Sequence, residues 1–513
     1  MKPLLFSLLT ISSLVIPHSS FSAQPNIIII LADDLGYADI GVNGCKDIPT
    51  PNIDSIATNG VRFTDGYANH CVCAPSRAGL LSGRYQHRFG FEYNSGPERL
   101  AAENFGLPRT EPTLAERLKN AGYATGIVGK WHSGFKEGLR PHERGFDSHF
   151  GFLGGARSYE PDNPRENDPI IRNGVLVKDE KEHLTDAFAR EAVAFLDRSK
   201  DKPFFLYVAF NAVHLPMEAP DRYAGRFPDL AGTRRTYAGM LTAMDEAVGR
   251  VLTKVRGLGQ EENTLVFFYS DNGGPTPQTS SRNDPLRGYK GQFYEGGIRV
   301  PFLVQWKGKL PAGMVYREMV MGFDCHATAL AAAGVQMPTD KPLDGVNLLP
   351  FLTGKQTGQP HDRLFWRAGE KHAARLGDWK LVQERGGGVE LFNLKDDIGE
   401  QTDLAAKEPA KLKELQAAYA AWDKQMMPAQ WRRQDARTQG TTGDTNSTRR
   451  GGGIEERFKQ FDRNGDRKLT PAEFPNAAFK RLDANRDGFL TTEEARMYYV
   501  NARRPQGSAK SQK

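Results

Sequence analysis

The chain has 513 residues, 39% hydrophobic and 25% charged, a globular composition long enough for two or more domains with a large core. Its 68 Lys and Arg are interleaved with 62 Asp and Glu, and a formal charge of +6 is small for this length, which speaks against nucleic-acid binding and leaves room only for a locally basic pocket. Four cysteines, Cys45, Cys71, Cys73 and Cys325, are too few for a disulfide scaffold and allow at most one disulfide.

In chain order, Lys2, the apolar run Leu4 to Ile16 and the small residues around Ser20-Phe21-Ser22-Ala23 read as a secretory signal peptide over residues 1–22, so the expected location is secreted or periplasmic. The run is too short for a membrane anchor and is interrupted by His18, Ser19 and Ser20; no later segment is long and apolar enough to span a bilayer. From residue 26, apolar runs at Asn26 to Leu31, Ala124 to Val128, Phe204 to Phe210 and Thr264 to Tyr269 alternate with helical patterns at Thr113 to Ala121, Thr185 to Leu196 and Thr236 to Val255. The alternation predicts an α/β fold with a large, mostly parallel central sheet over residues 23–360. Short strand-like pieces at His372 to Leu376, Trp379 to Gln383 and Val389 to Asn393, then a helix from about Pro409 to Lys424, predict a smaller antiparallel-sheet subdomain over 361–429. Residues 430–453 lose hydrophobicity and read as a linker, 454–500 as a separate helical unit and 501–513 as a disordered tail.

Ligands of open α/β sheets bind beyond the carboxyl ends of strands. Asp33 and Asp34 follow the first run, and Asp271 and Asn272 follow the fourth, so both pairs are expected at one sheet edge. Three carboxylates and an amide oxygen suit a hard cation, calcium or magnesium, although either pair alone reads more readily as turn and cap residues, and it is two such pairs at strand ends that shift the balance. Lys130 and His132 follow the second run and, if the chain stays extended, share one face with Trp131 on the other. His214 follows the third run by four residues; a lone histidine there is commonly a structural hydrogen-bonder. Lys290 lies in a glycine-bordered loop, where the bland alternative is a solvated surface lysine. Ala74 and Pro75 suit the first turn of a helix that begins at a partly exposed Cys73 and continues through Arg77, aiming helix amides at an anion beside Cys73.

Cys73-Ala74-Pro75-Ser76-Arg77 resembles the Cys-x-Pro-x-Arg motif that directs conversion of cysteine to formylglycine. The whole order, Asp-Asp, Cys-x-Pro-Ser-Arg, Gly-Lys-x-His, His, Asp-Asn-Gly and Gly-Tyr-Lys over about Pro25 to Pro301, resembles the type I, formylglycine-dependent sulfatases of the arylsulfatase and N-acetylgalactosamine-sulfatase kind. The resemblance implies an alkaline-phosphatase-like fold, hydrolysis of sulfate esters on sulfated carbohydrates, and maturation by a formylglycine-generating enzyme. It places Ca²⁺ on Asp33, Asp34, Asp271, Asn272 and the modified Cys73, with Arg77, Lys130, His132, His214 and Lys290 around the sulfate. It further implies that the formylglycine hydrate attacks sulfur, that His214 assisted by Lys290 protonates the leaving alcohol, and that His132 acts as the later base. Tyr289 stands where a small residue is common in that family. A phosphatase or phosphodiesterase of the same superfamily is the rival enzyme, although such sites usually use Ser or Thr and two zinc ions with more histidines.

Near the C-terminus, Asp462, Asn464, Asp466, Lys468 and Glu473, then Asp483, Asn485, Asp487, Phe489 and Glu494, resemble two EF-hand loops with ligand positions one, three, five, seven (by main chain) and twelve. Gly488 stands at the sharp turn of the second loop, whereas the first has Arg467 there and is expected to bind calcium less well. The loop starts lie 21 positions apart, closer than in a standard pair, which suits a compact or dockerin-like unit. That leaves a second class of reading, a protein acting chiefly through calcium-dependent interaction.

Overall fold

The computed structural model describes residues 24–96, 101–161, 163, 168–431, 462, 466, 468–470, 473 and 487–491. The expected signal peptide, most of the expected linker and the tail lie outside them. The chain divides into two compact units, residues 1–438 and 439–513.

In the first unit a ten-stranded sheet is built from β1 (Asn26–Ala32), β2 (Val61–Phe63), β4 (Ala124–Lys130), β5 (Ser148–Phe152), β6 (Ile171–Arg172), β7 (Val175–Leu176), β8 (Phe204–Ala209), β9 (Thr264–Ser270), β10 (Phe302–Gln305) and β11 (Met314–Tyr316). Their order is β11-β2-β10-β9-β1-β8-β4-β5-β6-β7. The central strands β9, β1, β8, β4 and β5 run parallel, and β10, β2, β6 and β7 add antiparallel pairings toward the edges. Strand β1 shows why the middle is parallel: its Ile-rich sequence is buried on both faces, as a strand covered by helices on each side requires. Ile27, Ile29 and Leu31 enter one hydrophobic core while Ile28, Ile30 and Ala32 enter the other, and β8 and β9 alternate in the same way.

The predicted helices form as α3 (Leu114–Asn120), α4 (Leu184–Ser199) and the longer Gly232–Gly257. At the start of α3, Thr113 Oγ accepts from Glu116 N at 3.1 Å and Glu116 Oε2 accepts from Thr113 N at 2.6 Å, a capping box that fixes the boundary. A two-residue strand β3 (Gly66–Tyr67) pairs with β12 (Val320–Met321). The smaller antiparallel sheet has four strands rather than the three expected: β13 (Arg363–Ala368), β14 (Lys371–Leu376), β15 (Trp379–Gln383) and β16 (Val389–Asn393), packed by helix Pro409–Asp423. The first residues assigned to the linker are packed, since Gln430 N donates to Gly90 O at 2.8 Å and the Trp431 ring stacks on Phe105 at 4.9 Å. All four cysteines are free thiols, and no helix among the described residues is long and apolar enough to cross a membrane.

In the second unit β17 (Lys468–Leu469) pairs antiparallel with β18 (Leu490–Thr491), so the eighth positions of the two loops, Leu469 and Leu490, lie opposite each other and buried. The fifth residue of each loop turns its own chain in the same way: Asp466 Oδ1 accepts from Lys468 N at 2.8 Å and Asp487 Oδ1 from Phe489 N at 2.9 Å. Gly488 takes a φ of 85°, the left-handed conformation expected at that turn. Glu473 accepts from Thr470 N and Oγ. Asn464, Arg467, Asp483, Asn485 and Glu494 lie outside the described residues.

Candidate active site

Strand register brings the site together. Ala32 of β1 lies opposite Ser270 of β9, Leu31 opposite Ala209 of β8, and Ala209 opposite Gly129 of β4. The four strands therefore release Asp33-Asp34, Asp271-Asn272, Lys130 and His214 at one carboxyl edge, as expected for an open α/β sheet. Helix α2 (Cys73–Ser82), buried along its whole length, brings Cys73 and Arg77 to the same place. Lys290 arrives on the loop before Glu295.

Each carboxylate is held by a cation. Lys130 Nζ lies 2.6 Å from Asp33 Oδ2, Lys290 Nζ 2.7 Å from Asp34 Oδ1, and Arg77 Nη2 2.8 Å from Asp271 Oδ2. Arg77 also donates from Nε to Asp271 at 2.9 Å and from Nη1 to the Lys130 carbonyl at 2.9 Å, and its Nη2 is 3.5 Å from Asp33. Three negative and three positive groups balance in a volume shielded from water, the arrangement that burial of so many charges demands. Lys130 and Arg77 form a closed floor, whereas the side chains of Lys290 and His214 keep 17% and 16% exposure and mark the open side. Lys290 is thus a site residue and not a solvated surface lysine.

Burial works to raise Asp33, but Lys130, His214, Arg77 and Lys290 outweigh it and hold the carboxyl well below its usual range. Asp271 goes the other way: burial and the Asp33 charge push it up to about 6 against Arg77. Burial works against the Lys290 ammonium, but Asp34 and, further off, Asp33 outweigh it and keep it protonated above the usual lysine range.

Cys73 is 1% exposed, not partly exposed as a residue at a helix start was expected to be, because α2 lies inside the fold. Its Sγ is 3.5 Å from Asp33 Oδ1, and burial pushes the thiol up to about 12, so the unmodified side chain is not a thiolate at neutral pH. One helix-start donor is already engaged, since Ala74 N donates to Asn94 Oδ1 at 3.0 Å.

The two histidines are set by backbone carbonyls, which only accept. His214 Nδ1–H donates to Leu215 O at 2.6 Å, leaving Nε2 to face Asp34 Oδ2 at 3.6 Å. His132 Nε2–H donates to Ser95 O at 3.1 Å, leaving Nδ1 buried and without a hydrogen-bond partner. Burial lowers both, Asp34 opposing it at His214 and the Lys130 and Arg77 charges reinforcing it at His132. The expectation that Lys130 and His132 share one face of an extended chain fails, because His132 adopts a left-handed φ of 53° and ends the alternation. Trp131 does turn away into the core, donating to Leu139 O at 2.9 Å.

Atoms of Asp33, Asp34, Cys73 and His214 that can ligate a metal lie within 4.8 Å of one another. Asn272 donates from Nδ2 to Asp34 at 2.7 Å while its buried Oδ1 has no hydrogen-bond partner, an acceptor that a cation would satisfy. Asp271 lies outside that cluster, with Oδ2 on Arg77 and Oδ1 3.4 Å from Asp34 N. Carboxylate and amide oxygens suit calcium, for which an imidazole is the less suited ligand. Sequence reasoning missed Asn94, Ser95 and Tyr159, whose hydroxyl donates to the carbonyls of Asn211 at 2.6 Å and His214 at 2.8 Å; these act largely through main-chain contacts and carry no motif.

Comparison with known proteins gives the same answer as the site. The sulfatase family model matches residues 25–335, the C-terminal model of N-sulphoglucosamine sulphohydrolase matches 289–422, and an EF-hand model matches 476–496. The N-acetylgalactosamine-6-sulfatase of Sus scrofa is 35% identical over 394 residues, 73% of this chain and 74% of that protein. A crystal structure of Ps i-CgsB in complex with k-i-k-neocarrahexaose superposes with a TM-score of 0.75 at 38% identity, covering 80% of this chain and 94% of that one. The PsFucS1 sulfatase from Pseudoalteromonas sp. superposes with a TM-score of 0.67 at 27% identity over 79% of this chain and 91% of its own. A chain with this sheet edge, this order of motifs and these relatives belongs to the sulfatase family and is an enzyme that hydrolyses sulfate esters.

Proposed function

We propose that the protein is an exported, calcium-dependent sulfatase of sulfated carbohydrates whose nucleophile is a formylglycine made from Cys73. The observation that carries this reading is the convergence of three carboxylate–cation pairs on a buried Cys73 whose own thiol is unsuited to attack. Because those charges already balance, a dication and a singly charged sulfate ester entering together leave a single net positive charge, which suits negative charge developing at the ester. Asp33, Asp34, Asp271, Asn272 and residue 73 are the proposed calcium ligands. When present, the formylglycine supplies an oxygen nucleophile and the calcium ion supplies positive charge opposite the sulfate oxygens.

This chain's own groups do the rest. Arg77 and Lys130, fixed at the floor, and Lys290, at the mouth, bind the sulfate oxygens and stabilise charge that develops there. His214 and Lys290 meet at Asp34, so the acid assigned to His214 stands beside an ammonium that its carboxylate neighbours keep protonated against burial. His132 is held neutral with its Nδ1 lone pair unengaged, the state a base requires.

The relatives support a sulfated carbohydrate as substrate, since one is an N-acetylgalactosamine-6-sulfatase and another was crystallised in complex with k-i-k-neocarrahexaose. Export with cleavage near residue 22, action of a formylglycine-generating enzyme on Cys73, and a division into a catalytic domain to residue 360, a subdomain to 429, a linker to 453 and an EF-hand pair to 500 complete the proposal. In that pair, residues 462, 464, 466, 468 and 473, then 483, 485, 487, 489 and 494, are the calcium ligands. Release of sulfate from a panel of sulfated galactose, galactosamine and glucosamine oligosaccharides tests it; faster turnover of phosphate mono- or diesters than of every sulfate ester would overturn it in favour of the phosphatase reading.

A further inference from the structure

Lys290 is the one cation of the site that no strand or long helix carries. Its loop is held at both neighbouring positions. Lys290 N lies 3.4 Å from Gly274 O, just beyond Asp271-Asn272, and Gly291 N donates to Cys71 O at 2.8 Å, two residues before Cys73. Tyr289 and Gln292 bond to each other within the loop, Asn283 donates to the Gly288 carbonyl and His70 packs on Phe293, and a further set of contacts comes from the small antiparallel sheet. Lys371, the first residue of β14, donates from Nζ to the Gly291 carbonyl, pairs with Glu384 Oε2 at 3.3 Å, and lies 5.6 Å from the centre of the Phe293 ring. Glu384, which follows β15, accepts from Phe293 N at 2.6 Å through its other oxygen. The two side chains thereby close a clamp around residues 291–293, immediately after Lys290.

We infer that Lys371 and Glu384 are positioning residues for sulfate hydrolysis: the C-terminal sheet acts on the reaction by holding the Lys290 ammonium over Asp34. The inference rests on the reading of Lys290 as a sulfate-binding residue. The physical reason for such a clamp lies in Lys290 itself. A flexible four-carbon side chain on a glycine-bordered loop would otherwise spend its binding energy on being ordered, and a displacement of about 1 Å at a reacting centre costs up to about 100-fold in rate. Lys371 and Glu384 are 22% and 19% exposed, so replacing Lys371 leaves Glu384 able to reach water and does not strand a buried charge.

The test uses the full, matured enzyme on the sulfate ester that the panel above identifies, as a double-mutant cycle of Lys371→Met and Lys290→Ala. Lys371→Met is expected to lower kcat/KM by about 10- to 100-fold in the parent and to lower it no further in the Lys290→Ala background, with an unchanged thermal midpoint. Glu384→Ala is expected to give the same pattern. Equal losses in both backgrounds would show that the pair merely supports the fold, and an undiminished Lys371→Met enzyme would show that the clamp does nothing for catalysis; either overturns the inference while leaving the site intact. Full activity in Lys290→Ala alone would instead overturn the assignment of Lys290, and this inference with it.

Discussion

Replacing Arg77 with lysine keeps the charge and removes the geometry, which separates two ways this residue could serve the site. The guanidinium donates from Nε to Asp271 Oδ2 at 2.9 Å and from Nη1 to the Lys130 carbonyl at 2.9 Å, with Nη2 in ion contact 2.8 Å from the same Oδ2, all out of contact with water. A lysine ammonium can reach Asp271 or the carbonyl but not both. A lysine that keeps Asp271 loses the bond to the carbonyl and strands that buried acceptor, at about 1–3 kcal/mol. This predicts a destabilisation of about 1–3 kcal/mol, read from urea unfolding midpoints. With Arg77 in its proposed role as a fixed donor toward the sulfate, kcat of the folded Arg77→Lys protein is expected to fall about 100- to 1000-fold, as for loss of one preorganised donor. Sulfate release measured on protein shown to be folded by circular dichroism supplies the second number. Wild-type kcat in a folded but destabilised Arg77→Lys enzyme would refute the placement of Arg77 in the reaction and leave it as a structural clamp on Asp271.

Peptide mass spectrometry of active protein is expected to show residue 73 as an aldehyde lacking sulfur, and Cys73→Ala to abolish turnover at a stability cost of about 1–2 kcal/mol relative to the unmodified Cys73 protein, since the sulfur is buried; a free thiol in fully active enzyme contradicts this. Asp34→Ala is expected to bind one calcium fewer than the parent by elemental analysis and to lose nearly all activity, and an unchanged calcium content would show that the ligands are misassigned. Calorimetry should show Glu494→Gln removing the tighter calcium event of the C-terminal unit and Arg467→Gly strengthening the weaker one, because a non-glycine residue in the left-handed turn costs on the order of 1 kcal/mol; an isotherm indifferent to both rejects the EF-hand reading alone. His361 Nε2 lies 2.9 Å from both oxygens of buried Asp324, and although burial works against its proton, Asp324 raises it above the ordinary 6.5. The stability it contributes is therefore full below about pH 6.5 and lost as pH rises through the folded value, so the difference in thermal midpoint between the parent and His361→Gln is expected to shrink from pH 6 to pH 8, and a constant difference would refute the ion pair.

What the sequence made legible follows from how much of each signal is local. The run Asn26 to Leu31 announces a central strand because burial on both faces demands apolar residues at every position, and the Asp-Asp that follows stands out against it. By contrast β2, β10 and β11 are three or four residues long and exist because a neighbour pairs with them. Strand β13 has no signal of its own for the same reason: Leu364, Phe365 and Trp366 form a short apolar patch that becomes a strand only through its register with β14. The departure at His132 has a different origin. Nothing in Lys-Trp-His specifies a left-handed residue, yet the ring must fit against Gly155, where even a Cβ would come within 2.6 Å of it, and against the Ser95 carbonyl. The backbone yields so that the ring can lie there.

The same division runs through the site. Side chains whose type carries chemistry, three carboxylates, two lysines, an arginine, two histidines and a cysteine, can be counted from the sequence once the strand ends are known. Their pairing cannot, because it depends on which cation reaches which carboxylate, and the pairing decides the chemistry. Lys130 on Asp33 holds that carboxyl low, and the Asp33 charge in turn pushes Asp271 up, so two acids of the same kind at the same sheet edge differ in their hold on a proton. Carbonyls do the equivalent work for the histidines. Ser95 and Leu215 choose a different ring nitrogen to engage in each, leaving Nδ1 of His132 and Nε2 of His214 for the site. Two residues of one type thereby keep opposite ring nitrogens free of the main chain, and that distinction is written in backbone carbonyls, which every residue presents alike.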